Sequence, residues 1–168
     1  MPSDTPQDAL QLLAHDHREV EGLFEQFEKA TGGAAKQKIV LQICTKLKVH
    51  TLIEEEIYYP AIRGKVEDDA LDEAFVEHDS AKLLIRELEQ ASPDADYYDA
   101  KVSVLQEQIE HHVKEEEKER DNLFTQTRRT DVDLKALGAQ LAARKEELMA
   151  MAKAGTLPGP ETTTLETA

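Results

Sequence analysis

The sequence predicts an all-α protein: an antiparallel four-helix bundle with a short C-terminal helix and a disordered tail. Three observations lead there. Apolar residues recur at spacings of three and four almost throughout, the period of a helix with one buried face. No run alternates apolar and polar residues as a half-buried strand does. The breaks between apolar stretches are short, and short connections set consecutive helices side by side and antiparallel.

Each helix can be read in turn. Helix one is expected to open at Thr5-Pro6-Gln7-Asp8, a capping residue followed by proline at the first helical position. Its inner stripe is Leu10, Leu13, His17, Val20, Phe24 and Phe27, and Thr31-Gly32-Gly33 ends it. Helix two runs from about Ala34, with Ile39, Ile43, Leu47, His50, Glu54 and Ile57 inward and Pro60 and Gly64 marking its end. Helix three starts near Glu67-Asp68-Asp69, acids that suit a helix N-terminus. It carries Leu71, Phe75, His78, Ala81 or Lys82, Ile85 and Leu88. After the break at Ser92-Pro93-Asp94, helix four carries Val102, Leu105, Ile109, His112, Glu116 and Leu123. Thr130-Asp131 opens a fifth helix to about Ala152, and the Gly-, Pro- and Thr-rich end reads as disordered. The expected division is a bundle over 6–129, a C-terminal helix over 130–154 packed on it, and a tail over 155–168.

Composition narrows the function classes. Lys and Arg total 20 against 35 Asp and Glu, a formal charge of -15 that repels nucleic acid and anionic lipid. The single cysteine, Cys44, allows neither an internal disulfide nor a thiolate metal cluster. Met1-Pro2-Ser3-Asp4-Thr5 lacks the basic and apolar regions of a leader, and no apolar run approaches the ~20 residues needed to span a bilayer. A cytoplasmic protein with no nucleic-acid or membrane partner is the expectation.

His17, His50, His78 and His112 each sit in the apolar stripe of a different helix. A lone histidine on such a face is usually a satisfied core residue; four, one per helix, need a shared explanation. His50-Thr-Leu-Ile-Glu54 and His112-Val-Lys-Glu-Glu116 both read His-x-x-x-Glu. That spacing puts imidazole and carboxylate on one face, about 6 Å apart along the axis. Buried without partners, such groups cost several kcal/mol each, a cost that a pair of divalent cations removes by coordination. Imidazole with carboxylate suits iron, zinc or manganese. The ferritin-like and oxygenase pattern, Glu-x-x-His, is absent: the residues three before the histidines are Leu12, Ala14, Leu47, Phe75, Gln108 and Ile109.

At these residues the chain resembles the hemerythrin-like, HHE cation-binding family. The matching stretches are Leu13–Val20, His50–Pro60, Glu77-His78 and His111–Glu117. The resemblance implies His17, His50, Glu54, His78, His112 and Glu116 as ligands of two non-haem iron ions, with Glu54 and Glu116 bridging. His15 and His111 then fall on other faces. The chain departs from the oxygen carriers of the family at three points. They have a further histidine four residues from the one on helix three, where this chain has Ala74 and Lys82. They place the helix-four carboxylate five residues after its histidine, whereas here both Glu116 and Glu117 are available. Finally, Lys118–Thr125 stands where the family often has Phe-Pro, and reads as a small insertion. The function implied is binding of, or reaction with, O2, peroxide or NO in a sensing, scavenging or redox role, any catalysis being directed at peroxide or NO. The alternative class is iron storage, donation or repair of iron centres.

Overall fold

The computed structural model describes residues 5–166. Met1–Asp4, read above as leader-free, and the last two residues of the expected tail fall outside the described residues. Seven α-helices are present among those described: α1 (Ala9–Lys29), α2 (Gly33–Ile53), α3 (Tyr59–Ile62), α4 (Asp68–Gln90), α5 (Tyr98–Val113), α6 (Leu123–Arg128) and α7 (Leu134–Ala154). No strand occurs among the described residues. α1, α2, α4 and α5 are the bundle; α1 packs on α2, α2 on α4 and α4 on α5, while α7 lies against α1 and α2.

The core consists of two apolar clusters. One holds Leu10 and Leu13 of α1, Ile53 of α2, Leu71 of α4, Phe124 of α6 and Leu141 of α7. The other holds Val20 and Phe24 of α1, Ile43 and Leu47 of α2, Ile85 of α4 and Leu105 and Ile109 of α5. His17 and His78 fall at the boundary between them, His50 lies between Val49 and Ile53 of the first, and His112 between Ile109 and Val113 of the second. The polar residues therefore form one layer with apolar packing on both sides, which excludes water and strengthens electrostatic interactions inside the layer.

Several helix ends differ from the sequence reading. α1 begins at Ala9, with Thr5 and Pro6 outside it. The Asp8 carboxylate takes the cap, accepting from the Gln11 N–H at 2.9 Å, while Gln11 accepts from the Gln7 N–H. α7 is likewise capped by Asp133, which accepts from the Ala136 N–H, and not by Thr130 or Asp131. At 21 residues, α7 is as long as α1 and α2. It approaches closely because Gly138 has no side chain: a Cβ there would stand 2.7 Å from the Ala9 backbone nitrogen.

The largest difference inside the bundle is a pair of widened, π-helical turns, Glu54–Tyr58 and Lys114–Lys118. In the first, the Tyr59 N–H reaches the Glu54 carbonyl five residues back. Pro60 accounts for it: it has no N–H to donate, and its ring crowds the carbonyl four residues earlier. In the second, the Glu119 N–H bonds the Lys114 carbonyl at 2.8 Å, and the Asn122 side chain caps the carbonyls of Glu117 and Glu119. The extra residue shifts the inner face. Ile57, expected inward, is only partly buried, and Tyr58 and Tyr59 occupy the core. It also ends the helix-four segment at Lys118, so that Leu123 belongs to the separate helix α6.

The tail, expected to be disordered from its composition, instead lies along α4. Asp79 is fully buried and accepts from the backbone N–H groups of Thr163, Thr164 and Leu165 and from the Thr164 hydroxyl. Lys82 and Arg86 donate to the carbonyls of Glu161 and Pro160. A segment that forms neither helix nor strand has found acceptors and donors for its backbone on the polar edge of α4.

Candidate metal centre

All six side chains expected at the site reach one layer. His17 comes from α1, His50 from α2, His78 from α4 and His112 from α5, while Glu54 and Glu116 lie within the two widened turns. None is more than 6% exposed. The imidazoles face one another in two pairs. The Nε2 atoms of His17 and His50 are 3.2 Å apart, and those of His78 and His112 are 3.1 Å apart. Glu54 lies between the pairs, its Oε1 2.9 Å from His50 Nε2 and 3.3 Å from His78 Nε2. Glu116 spans them also, with Oε1 3.3 Å from His112 Nε2 and Oε2 3.5 Å from His17 Nε2. Two groups of converging donor atoms result, one from His17, His50, Glu54 and Glu116, the other from Glu54, His78 and His112.

The donor set fits divalent cations on a specific observation. Both oxygens of Glu54, which has no exposed surface, lack a hydrogen-bond partner despite their nearness to imidazole nitrogens, and so does Glu116 Oε2. Lone pairs that converge without a donor in line waste their desolvation unless a cation stands between them.

Outer carboxylates orient the rings. His17 Nδ1 donates to Glu117 Oε2 at 2.9 Å, His50 Nδ1 to Asp16 Oδ2 at 3.1 Å and His112 Nδ1 to Glu77 Oε1 at 3.0 Å. Each bond leaves Nε2 to face the centre. Glu117 is thereby placed outside His17, while Glu116 points inward. His78 differs: its Nδ1 has no partner, and Glu55 stands 3.9 Å away, held by Lys82. Ionisation follows the same geometry. Burial opposes the charged form of His50, yet Glu54 and Asp16 overcome it and raise its pKa to about 10. His112 is likewise raised, against burial, by Glu116, Glu54 and Glu77. Glu54, against burial, is held well below the usual carboxylate range by His50, His112 and His78. Without an ion, His50 and His112 are the imidazoles whose surroundings favour the charged form.

Tyr59 was not marked by the sequence reading. Its hydroxyl donates to Glu116 Oε1 at 2.5 Å. Tyr58, four residues after Glu54, is the position a uniform helix would have aimed at the site. It instead bonds Thr127 at 2.8 Å within the core. Pro60 was the available signal for the shift. Asp16 and Glu77 were also unmarked; each lies next to a ligand-candidate histidine in sequence, Asp16 beside His17 and Glu77 beside His78, but serves the histidine of a neighbouring helix. His15 and His111 are exposed. Cys44 is buried, and burial pushes its thiol up to about 12, so it offers no thiolate.

Comparison with known proteins bears on the same stretch. Residues 8–120 match the hemerythrin HHE cation binding domain. The chain is 27% identical over 139 residues to a DNA nickase of Nostoc sp., covering 79% of this chain but only 40% of that protein. It is 25% identical over 141 residues to the uncharacterized protein Rv2633c of Mycobacterium tuberculosis, covering 83% of this chain and 86% of the relative. The fold matches the crystal structure of a hemerythrin HHE cation binding domain-containing protein from Mycobacterium kansasii, a homolog of Rv2633c, with a TM-score of 0.73, 21% identity and coverage of 89% and 94% of the two chains.

Proposed function

The chain belongs to the hemerythrin HHE cation-binding domain family, and from that premise we propose that it is a non-haem di-iron protein that binds or reacts with O2, peroxide or NO. The observation that carries the reading is Glu54, fully buried between two imidazole pairs with neither oxygen hydrogen-bonded. His17, His50, His78, His112, Glu54 and Glu116 would hold the ions, the two glutamates shared between them. Bound there, iron supplies redox chemistry and open positions for small oxygen or nitrogen ligands.

The rest is done by the chain. The three Nδ1–carboxylate bonds fix the ring orientations, and the Tyr59 hydroxyl holds Glu116 in place. A cavity of about 20 Å³, lined by the four histidines with Val20, Leu47, Ile109 and Val113, adjoins the layer. A volume of that order holds one molecule of about the size of water. Six side chains offer four nitrogens and four oxygens, fewer than two hexacoordinate ions require, which favours reaction with peroxide or NO over reversible carriage. Iron storage or donation is the second reading, favoured by an acidic cavity that reaches His112 and Glu116. The nickase's activity on DNA is not carried over, since a charge of -15 repels phosphate.

Iron content and absorption spectra of the iron-loaded protein, before and after O2, peroxide or NO, test the proposal. Two irons per chain and a spectral change with peroxide or NO are expected. One metal per chain would sink the dinuclear reading. A long-lived, reversible response to O2 would leave the centre standing and overturn the functional preference. Stable iron that ignores all three ligands but passes to a competing chelator would favour storage or donation.

A further inference from the structure

Two clusters of acids near the surface each include an exposed histidine: His15 with Asp16 and Glu19, and His111 with Glu77 and Glu115. The first is already neutralised, since Lys145 pairs with Asp16 and Lys46 lies 3.1 Å from Glu19. In the second, His111 Nε2 lies 3.3 Å from Glu77 Oε2 and 3.1 Å from Glu115 Oε1. Among the described residues no lysine or arginine pairs with Glu77 or Glu115, whose ion-pair partners are histidines alone.

The second cluster borders a cavity of about 270 Å³ between α4, α5 and the segment leading into α6. Glu73, Glu77, Glu115 and Glu119 are among its walls; among the described residues Arg120 is the one lysine or arginine lining it, and Lys114 reaches Glu119 at 3.8 Å. The same cavity is lined by His112 and Glu116 of the buried centre. Glu116 is 2% exposed, and its Oε2 has no partner. A mouth with more acids than cations, in which Glu77 and Glu115 pair with histidines alone, thus leads to a buried carboxylate with an unpartnered oxygen. Glu77 joins the two levels, with Oε2 on His111 and Oε1 on His112.

We propose that this cavity is a divalent-cation loading site, in which Glu77, His111 and Glu115 take a hydrated ion from solvent and present it to Glu116 and His112. The proposal rests on the di-metal reading above. Carboxylate with imidazole suits Fe2+ and Mn2+. Walls of one sign concentrate counter-ions and raise association rates. An exposed site with few protein ligands leaves the ion mostly hydrated and free to move on, which suits loading and not retention.

Two measurements on the full metal-free chain test it. Stopped-flow Fe2+ uptake is compared between the unmodified chain, the double variant His111→Ala/Glu115→Gln and Glu28→Gln, an exposed acid on α1 whose loss changes the formal charge equally. The double variant is expected to load about fivefold slower or worse yet reach the same final iron content, while Glu28→Gln loads normally. Mn2+ titration, followed by NMR broadening of ring protons, is expected to affect His111 before His15. Equal loading rates in all three proteins, a lowered final content in the double variant, or His15 broadening first would each overturn the loading site. A chain that never retains iron would instead refute the di-metal reading, and the Mn2+ titration would still decide the outer site.

Discussion

His17 and His50 face the centre with both outer nitrogens held, whereas His78 and His112 face it with one held and one free. The contrast extends a layer further out. Asp16, behind His50, is anchored by Lys145, and Glu117, behind His17, accepts from Arg18 at 2.7 Å. Glu77, behind His112, has among the described residues only His111 as its other ion-pair partner. Glu55 could serve His78 but is drawn aside by Lys82 and the Thr163 hydroxyl. Of the two helix-three positions four residues from His78, one is Ala74 and the other is this lysine, which also ties down the tail. The first pair is preorganised for an ion, and the second has slack and lies beside the acidic cavity. Two half-sites with an imidazole pair each therefore differ in the support behind those rings, and that support governs how tightly each would hold its ion.

Breaking the element common to both halves has the largest expected effect. Glu116→Ala removes a carboxylate that spans the pairs and should leave the purified protein without a stable centre, while Glu117→Ala loosens only His17 and costs about 10–100-fold in affinity. Metal analysis of the two variants decides it; a Glu117→Ala protein empty of iron beside a full Glu116→Ala protein would reverse their roles. Next come the histidines themselves. His50→Ala should bring iron well below one per chain, whereas His112→Ala, on the slack side, should retain about one ion. His15→Ala should retain the full content. Equal loss from His50→Ala and His112→Ala would erase the distinction between the halves.

The contrast can be sharpened without removing a ligand candidate. Iron should leave the unmodified protein in two phases on addition of a chelator, with the His78/His112 ion first. Asp16→Asn, which weakens the grip on His50, should speed the slower phase by about tenfold and bring the phases together. A single phase in the unmodified protein would contradict the asymmetry. Smaller still is a pH effect on the metal-free form. The folded pKa of His50, about 10, lies above its ordinary 6.5. The stability this contributes is complete below about pH 6.5 and is lost as pH rises toward 10. Metal-bound protein does not depend on those protons, so the midpoint difference between metal-loaded and chelated protein should widen from pH 6.5 to pH 9. A constant gap in paired thermal scans would mean that the imidazoles are neutral in the ion-free fold. Least in size, Tyr59→Phe removes one hydrogen bond to Glu116, about 1–3 kcal/mol, and denaturant titration of the loaded protein should register it.

The bundle and the gathering of the six side chains were legible because both follow from one rule, the turn of about 100° per residue. Leu10, Leu13, His17, Val20, Phe24 and Phe27 obey it and are all buried. Tyr59 was not legible by that rule, because Pro60 widens the turn before it and uniform phase then selects Tyr58. The docked tail escaped for another reason. Composition reports that Gly155–Pro160 cannot build a regular element, and not that Asp79 and Lys82 of a distant helix await its backbone. Gly138 is explained in the same way, only by the chain it touches, the start of α1.

The first widened turn makes the Glu54–Tyr58 segment lenient to genetic change. Glu56 is exposed and Ile57 partly so, and most replacements there should pass unnoticed. Loss of a single codon at the same place is a milder lesion than it would be elsewhere in the helix. The helix could close into regular α form with its hydrogen bonds repaired, and because the widened turn holds one residue more than an α turn, the residues after it would keep their facing. Tyr59 would then stand four residues after Glu54, still near Glu116, and Ile62 would stay in the core. In a library of variants, this stretch should stand out as permissive to substitution and to loss of one residue, whereas the same loss from the regular turns of α2 should turn everything after it by about 100°.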